Sequence, residues 1–234
     1  MPLPLIADAP WIWQLVTSGG IPGMTILGFL LVLSLAALSL AIEQFISLRL
    51  SRLVPEGLGA RVRSLLEAGD LVGARKACVD GGMVGEMLAT AIDEATELAA
   101  VTTPTWPVVE KAMEEKAEAY ASRLARPLDY LSMIGNIAPM VGLLGTVVGM
   151  IFAFREVAET QGTATATQLA GGIYEALVTT VGGLLIAIPS LGVYTILRNR
   201  VDAIAAEAVS EAEAATRPLK RAMMSGAKPA APPR

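Results

Sequence analysis

The chain of 234 residues has no histidine, one cysteine, 5% aromatic residues and charge on only 17% of its positions. Each shortage closes off a chemistry. Without histidine, the commonest metal ligand and the usual proton shuttle near neutral pH are missing. Cys78 has no second thiol to pair with inside the chain, and it reads as a packed, inert side chain. No GxxxxGK[ST] loop is present to cradle a nucleotide phosphate, and no nucleophile has a histidine base. Neither an enzyme nor a protein with a metal or cofactor is therefore expected. Lys and Arg number 18 against 22 Asp and Glu, and no basic tract is interleaved with aromatics. Nucleic acid is accordingly not an expected partner.

What the chain does have is apolar length. Hydrophobic residues make up 53% of it and the mean hydropathy is +0.56, which points to a membrane protein. Three segments reach the roughly 20 residues needed to cross a hydrocarbon core: 24–48, 129–155 and 170–197. Basic residues orient them, because Lys and Arg near membrane ends stay on the cytoplasmic side. Ten lie between the first and second segments, one (Arg155) between the second and third, seven after the third, and none before Met24. The amino terminus is therefore expected outside and the carboxyl terminus in the cytoplasm. With no basic n-region and a long apolar run, the start of the chain reads as a retained anchor rather than a removable signal. Trp11, Ile12, Trp13, Leu15 and Val16 form an interfacial cluster at the outer headgroups, followed by the breaker Gly19-Gly20-Ile21-Pro22-Gly23.

Between the first two spans, 49–128 reads as a helical cytoplasmic region. The chain turns at Val54-Pro55-Glu56-Gly57, and helices follow at 58–68 and 70–79, joined at Gly69 and broken at Gly81-Gly82. Residues 83–100 form a further helix with Met83, Met87, Leu88, Ala91 and Ala95 on its apolar side. From Val108 the chain is rich in helix formers, with Glu114 and Glu118 on a solvated face. Pro127 kinks this helix rather than ending it, so it continues into the second span. A loop at 156–169 leads to the third span, which leaves the membrane as a helix at 198–217. Pro218 ends it, and 218–234 is a disordered tail. The expected fold is an all-α integral membrane protein. Three transmembrane helices would carry long extensions into a cytoplasmic helical bundle, after an interfacial segment at 1–23.

Small or hydroxyl residues recur along one side of each of the last two spans. Gly135, Pro139, Gly142, Thr146, Gly149 and Ala153 are spaced by three or four, as are Gly172, Ala176, Thr180, Gly183, Ala187 and Ser190. Such stripes suit close helix packing as well as a lined path, and Pro139 and Pro189 suit kinks in membrane helices. Past the cytoplasmic ends of these two spans Glu175 is the one carboxylate, either a functional group or an interfacial anchor about five residues from the outer end. At 1.5 Å rise per residue, Thr146 lies about 12 Å and Thr180 about 15 Å from the outer ends, so their hydroxyls share a depth. Either could instead bond helix carbonyls in a purely structural role.

The motifs NIAPMVGLLGTVVGM at 136–150 and GIYEALVTTVGGLLIAIP at 172–189 resemble the MotA/TolQ/ExbB proton-channel family, most closely its ExbB/TolQ branch. The resemblance extends over most of residues 10–205. It implies a bacterial inner-membrane protein that forms a homopentamer around an ExbD/TolR-like partner with one span and a membrane aspartate. Thr146 and Thr180 match channel-lining hydroxyls of the family, Glu175 its third-span glutamate and Pro139 its second-span proline. Gly135, Gly142, Gly149, Ala176, Gly183, Ala187 and Pro189 would then pack and shape the channel wall. The implied function is proton-motive-force transduction for protein or biopolymer transport or envelope work. A non-conducting membrane scaffold and a stand-alone solute transporter are the competing readings. The transporter lacks the internal repeats and charged broken helices it would need.

Overall fold

The computed structural model describes residues 20–48, 53–101, 105–160 and 166–225. Six α-helices account for nearly all of them, and no strand occurs among the described residues. They are α1 (Gly20–Ser47), α2 (Leu58–Glu67), α3 (Leu71–Ala77), α4 (Gly82–Val101), α5 (Trp106–Glu159) and α6 (Ala166–Met224). Helices α1, α5 and α6 each contain a stretch long and apolar enough to cross a membrane. The protein is thus an all-α integral membrane protein. Its chain forms two compact units: one from Met1–Glu43 with Asp129–Thr195, the other from Gln44–Leu128 with Ile196–Arg234.

In the first unit, three apolar helices meet through alanines and a few buried large side chains. Leu30 of α1 packs with Ala138 of α5 and Ala187 of α6. Two turns further along the same face of α1, Ala37 packs with Leu131 and Ile134. As the α1 numbers rise the α5 numbers fall, so these two helices are antiparallel. Other large side chains point away: Phe29, Leu31, Leu35, Met140, Leu143, Ile151, Leu177, Leu185 and Ile188 are all exposed in the single chain. That distribution inverts a water-soluble core and fits helices whose surroundings are as apolar as their interior.

The second unit has an ordinary core. Met83, Met87, Leu88, Ala91 and Ala95, all on one side of α4, are fully or almost fully buried. They cluster with Val62 of α2, Ala74 of α3, Val109 and Met113 of α5, and Ala208, Ala212 and Leu219 of α6. Burying the Met, Leu and Val side chains among them stabilises the folded state by roughly 1.5–3 kcal/mol each. Local chemistry sets the turns. Gly57 and Gly69 have φ of 79° and 78°, a conformation open to glycine because it lacks Cβ. Asp70 then caps α3, its carboxylate accepting from the Gly73 N–H at 2.7 Å.

Several boundaries differ from the sequence expectation. Pro218 does not end α6, which continues to Met224. The buried Leu219 and Met223 hold that last stretch in the second unit's core, outweighing the one backbone bond a proline removes. Residues 226–234 of the expected tail lie outside the described residues. Helix α5 runs to Glu159 and α6 starts at Ala166, so most of the expected 156–169 loop is helical at its two ends. Helix α1 already includes Gly20-Ile21-Pro22-Gly23; a proline in the first turn has no intrahelical N–H bond to lose. The Trp11–Val16 cluster lies outside the described residues.

Candidate functional site

The two small-residue stripes face each other. Helices α5 and α6 pair antiparallel, with Gly135 against Leu191, Gly142 against Thr179, Thr180 and Gly183, Gly149 against Ala176, and Ala153 against Gly172. The approach is close enough that a Cβ on Gly142 would stand 2.8 Å from the Thr179 carbonyl oxygen and 3.0 Å from Thr180 Cα. One on Gly183 would stand 2.5 Å from the Ala138 carbonyl oxygen. Glycine at these positions therefore lets two backbones touch, the contact on which association between membrane helices depends.

Of the residues named from sequence, Gly142, Thr180 and Gly183 come together, as do Gly149 and Ala176. Gly135 and Ala176 are buried in the same seam, and Ala187 is buried where α1 meets it. Pro139 is half-buried and Pro189 exposed, and the helices run unbroken through both. The Glu175 side chain lies outside the described residues.

Every hydroxyl described in the seam donates to a main-chain carbonyl. Thr146, buried, donates to the Leu143 oxygen at 2.7 Å along its own helix. Thr180, half-buried, donates across to the Gly142 oxygen at 3.1 Å. Thr179, only 4% exposed, has two acceptors: the Ala176 oxygen at 2.7 Å and the same Gly142 oxygen at 3.1 Å. One turn separates Thr146 from Gly142, so the depth match read from sequence has a physical counterpart at the Gly142 carbonyl. These groups can order a wall and offer hydroxyls, but a hydroxyl has no pKa that would let it hold a proton near neutrality.

Sequence reasoning missed Thr179 and Gly145. Thr179 fills the hole over Gly145, where an added Cβ would collide with its hydroxyl and Cβ. The signal was present: Gly172, Ala176, Thr179 and Gly183 are spaced by four, three and four, as regular a stripe as the one drawn through Thr180.

The sequence profile described as the MotA/TolQ/ExbB proton channel family matches residues 82–209, more than half of the chain, including the whole seam. The chain belongs to the MotA/TolQ/ExbB proton channel family. Within it, the similarity is to the ExbB/TolQ-like branch. Biopolymer transport protein exbB1 of Vibrio cholerae is 50% identical over 64 residues, 27% of this chain and 28% of that protein. Biopolymer transport protein ExbB of Salmonella typhimurium is 40% identical over 89 residues, 38% of this chain and 36% of the relative. Tol-Pal system protein TolQ of Pseudomonas aeruginosa is 40% identical over 86 residues, 37% of each chain. The matched stretch thus spans about a third of the length of these curated ExbB and TolQ relatives.

Proposed function

We propose that this chain is the proton-channel or stator subunit of an inner-membrane energy-transducing complex, assembling as a homopentamer around an ExbD/TolR-like single-span partner. The carrying observation is the convergence of Thr180, Thr179 and Gly142 one helical turn from Thr146, inside the family match. Thr146 and Thr180 are assigned as the hydroxyls that line the path, and Glu175, the third-span glutamate of the resemblance, is assigned to the same path. The proton itself is carried by the partner's membrane aspartate, since the hydroxyls cannot store one. An aspartate moving between hydroxyl donors and apolar wall would change its pKa with position: donors favour the ionised form and desolvation the neutral one. Proton flow inward then drives motion of the partner for biopolymer transport or envelope work. In this reading the amino terminus is periplasmic and 49–128 and 198–234 are cytoplasmic, as the distribution of Lys and Arg favours.

One observation favours a non-conducting scaffold instead. All the described seam hydroxyls are satisfied within the chain, as they would be in a pure packing interface. Co-expression with a single-span, aspartate-bearing partner separates the two. The wild-type complex should conduct protons in vesicles, and Thr146→Ala with Thr180→Ala should abolish flux while the ring still assembles. Full flux in the double variant would reject the lining assignment, and a ring that never conducts would leave the scaffold.

A further inference from the structure

Two adjacent threonines of α6 compete for one carbonyl of α5. The Gly142 oxygen lies 3.1 Å from the hydroxyl oxygens of both Thr179 and Thr180. It is also the helical acceptor for the Thr146 N–H four residues on. A carbonyl oxygen has two lone pairs, so three donors exceed what it can bind well at once. Thr180 has no other acceptor among the described residues, whereas Thr179 also reaches the Ala176 oxygen at 2.7 Å. A hydroxyl carries one proton and rotates to suit its surroundings. Thr179 can therefore change acceptor without moving a heavy atom.

We propose that Thr179 is a positioning residue that releases Thr180. While the Thr180 hydroxyl rests on the Gly142 oxygen, the Thr179 proton points to Ala176. When Thr180 turns toward the path to meet the partner's carboxylate, the Thr179 proton swings to Gly142 and keeps that carbonyl doubly bonded. The Thr179 side chain is held for this role by its seat over Gly145, where even one added carbon would collide with it. Without the handover, freeing Thr180 would strip a buried carbonyl of its only cross-helix donor, at a cost set by the unmade bond. The proposal depends on the channel reading for the purpose of Thr180's movement, but the handover itself is a property of this chain.

Three substitutions separate donor chemistry from packing: Thr179→Val, which keeps the shape and removes the donor, Thr179→Ser, which keeps the donor, and Thr180→Val. Proton flux is read in vesicles holding the complex with its single-span partner. Thr179→Val should lower flux about fivefold, the weight of one hydrogen bond, with assembly unchanged, and Thr179→Ser should restore at least half of it. Wild-type flux in Thr179→Val, or equal impairment in Thr179→Ser, would overturn the proposal. A second readout needs no conduction. Pairwise labelling with carbonyl-13C glycine and 15N leucine selects three linkages, Gly57–Leu58, Gly142–Leu143 and Gly183–Leu184. In solid-state NMR, Thr180→Val should leave the Gly142 carbonyl resonance near its wild-type position, and Thr179→Val with Thr180→Val should displace it. Equal displacement in the single and double variants would show that Thr179 does not take over. Should the wild-type complex conduct no protons, the channel reading falls while the resonance still decides the handover.

Discussion

The two units of this protein are built on opposite rules. In the second, Met83, Met87, Leu88 and Leu219 fill the interior and charged groups lie outside. In the first, glycine, alanine and threonine occupy the seam between α5 and α6 while most of the leucine, isoleucine and phenylalanine side chains point outward. Removal from water organises the former. The latter has no such force between its helices and depends on how closely their backbones approach. The same residue type thus has opposite value in the two places: a large apolar side chain stabilises the second interior and would wedge the α5–α6 seam apart.

Charge follows the same division. Outside the spans, Glu86 of α4 meets Lys116 at 3.1 Å and Arg123 at 3.0 Å. Burial pushes the Glu86 carboxyl up, but these two cations together outweigh it and hold its pKa below the ordinary 4.5. Lys220 sits 5.2 Å from the centre of the Trp106 ring and 3.7 Å from Glu110, so α5 and α6 are also tied in the second unit by cation–π and ionic contacts. Burial raises the Cys78 thiol to about 11 despite the nearby Arg75. That makes the one cysteine a poor nucleophile at neutral pH.

The largest effect should come from emptying the second interior. Leu88→Ala should destabilise that unit by about 2–5 kcal/mol, and Cys78, in the same cluster, gives the readout: its alkylation at pH 8 should be very slow in wild type and clearly faster in the variant. Filling the first interior comes next. Gly183→Val should cost about 3 kcal/mol, toward the upper end for overpacking, seen as a lower midpoint for unfolding in detergent with Cys78 alkylation unchanged. Gly192→Ala offers the contrast, since nothing lies within 4 Å of a Cβ there; it should be neutral or stabilise by up to about 1 kcal/mol through helix propensity. The smallest effect concerns Glu86. A carboxyl whose folded pKa is depressed adds stability above its unfolded pKa and loses it as pH falls through the folded value. Wild type should therefore lose this contribution only below about pH 4.5, and Glu86→Gln should remove that part of the acid dependence. With the pair partly exposed, its size is about 1 kcal/mol or less.

Much of this division was legible in sequence. Apolar run lengths located the three spans, helical spacing found the buried face of α4, and the stripes located the seam. The details that were not legible depend on tertiary contact. Pro218 reads as a stop, but the core reaches past it to Leu219 and Met223. Thr179 and Thr180 are neighbours with equal claim to a small-residue stripe, and only the rotation of α6 against α5 decides which is more deeply buried. Spacing also could not tell that both hydroxyls would converge on one carbonyl.

The antiparallel pairing of Gly149 with Ala176, Ala153 with Gly172 and Gly142 with Gly183 carries a consequence for how this sequence can change over time. Neither helix is free to drift alone. A methyl group added at Gly149 or Gly172 is admissible only beside its loss from Ala176 or Ala153, so replacements there should accumulate as matched pairs, whereas Gly142 and Gly183 meet backbone and have nothing left to reduce. Meanwhile the outward leucines and isoleucines can interchange wherever no other chain covers them. The seam is in that sense a single inherited character written in two distant stretches of the chain.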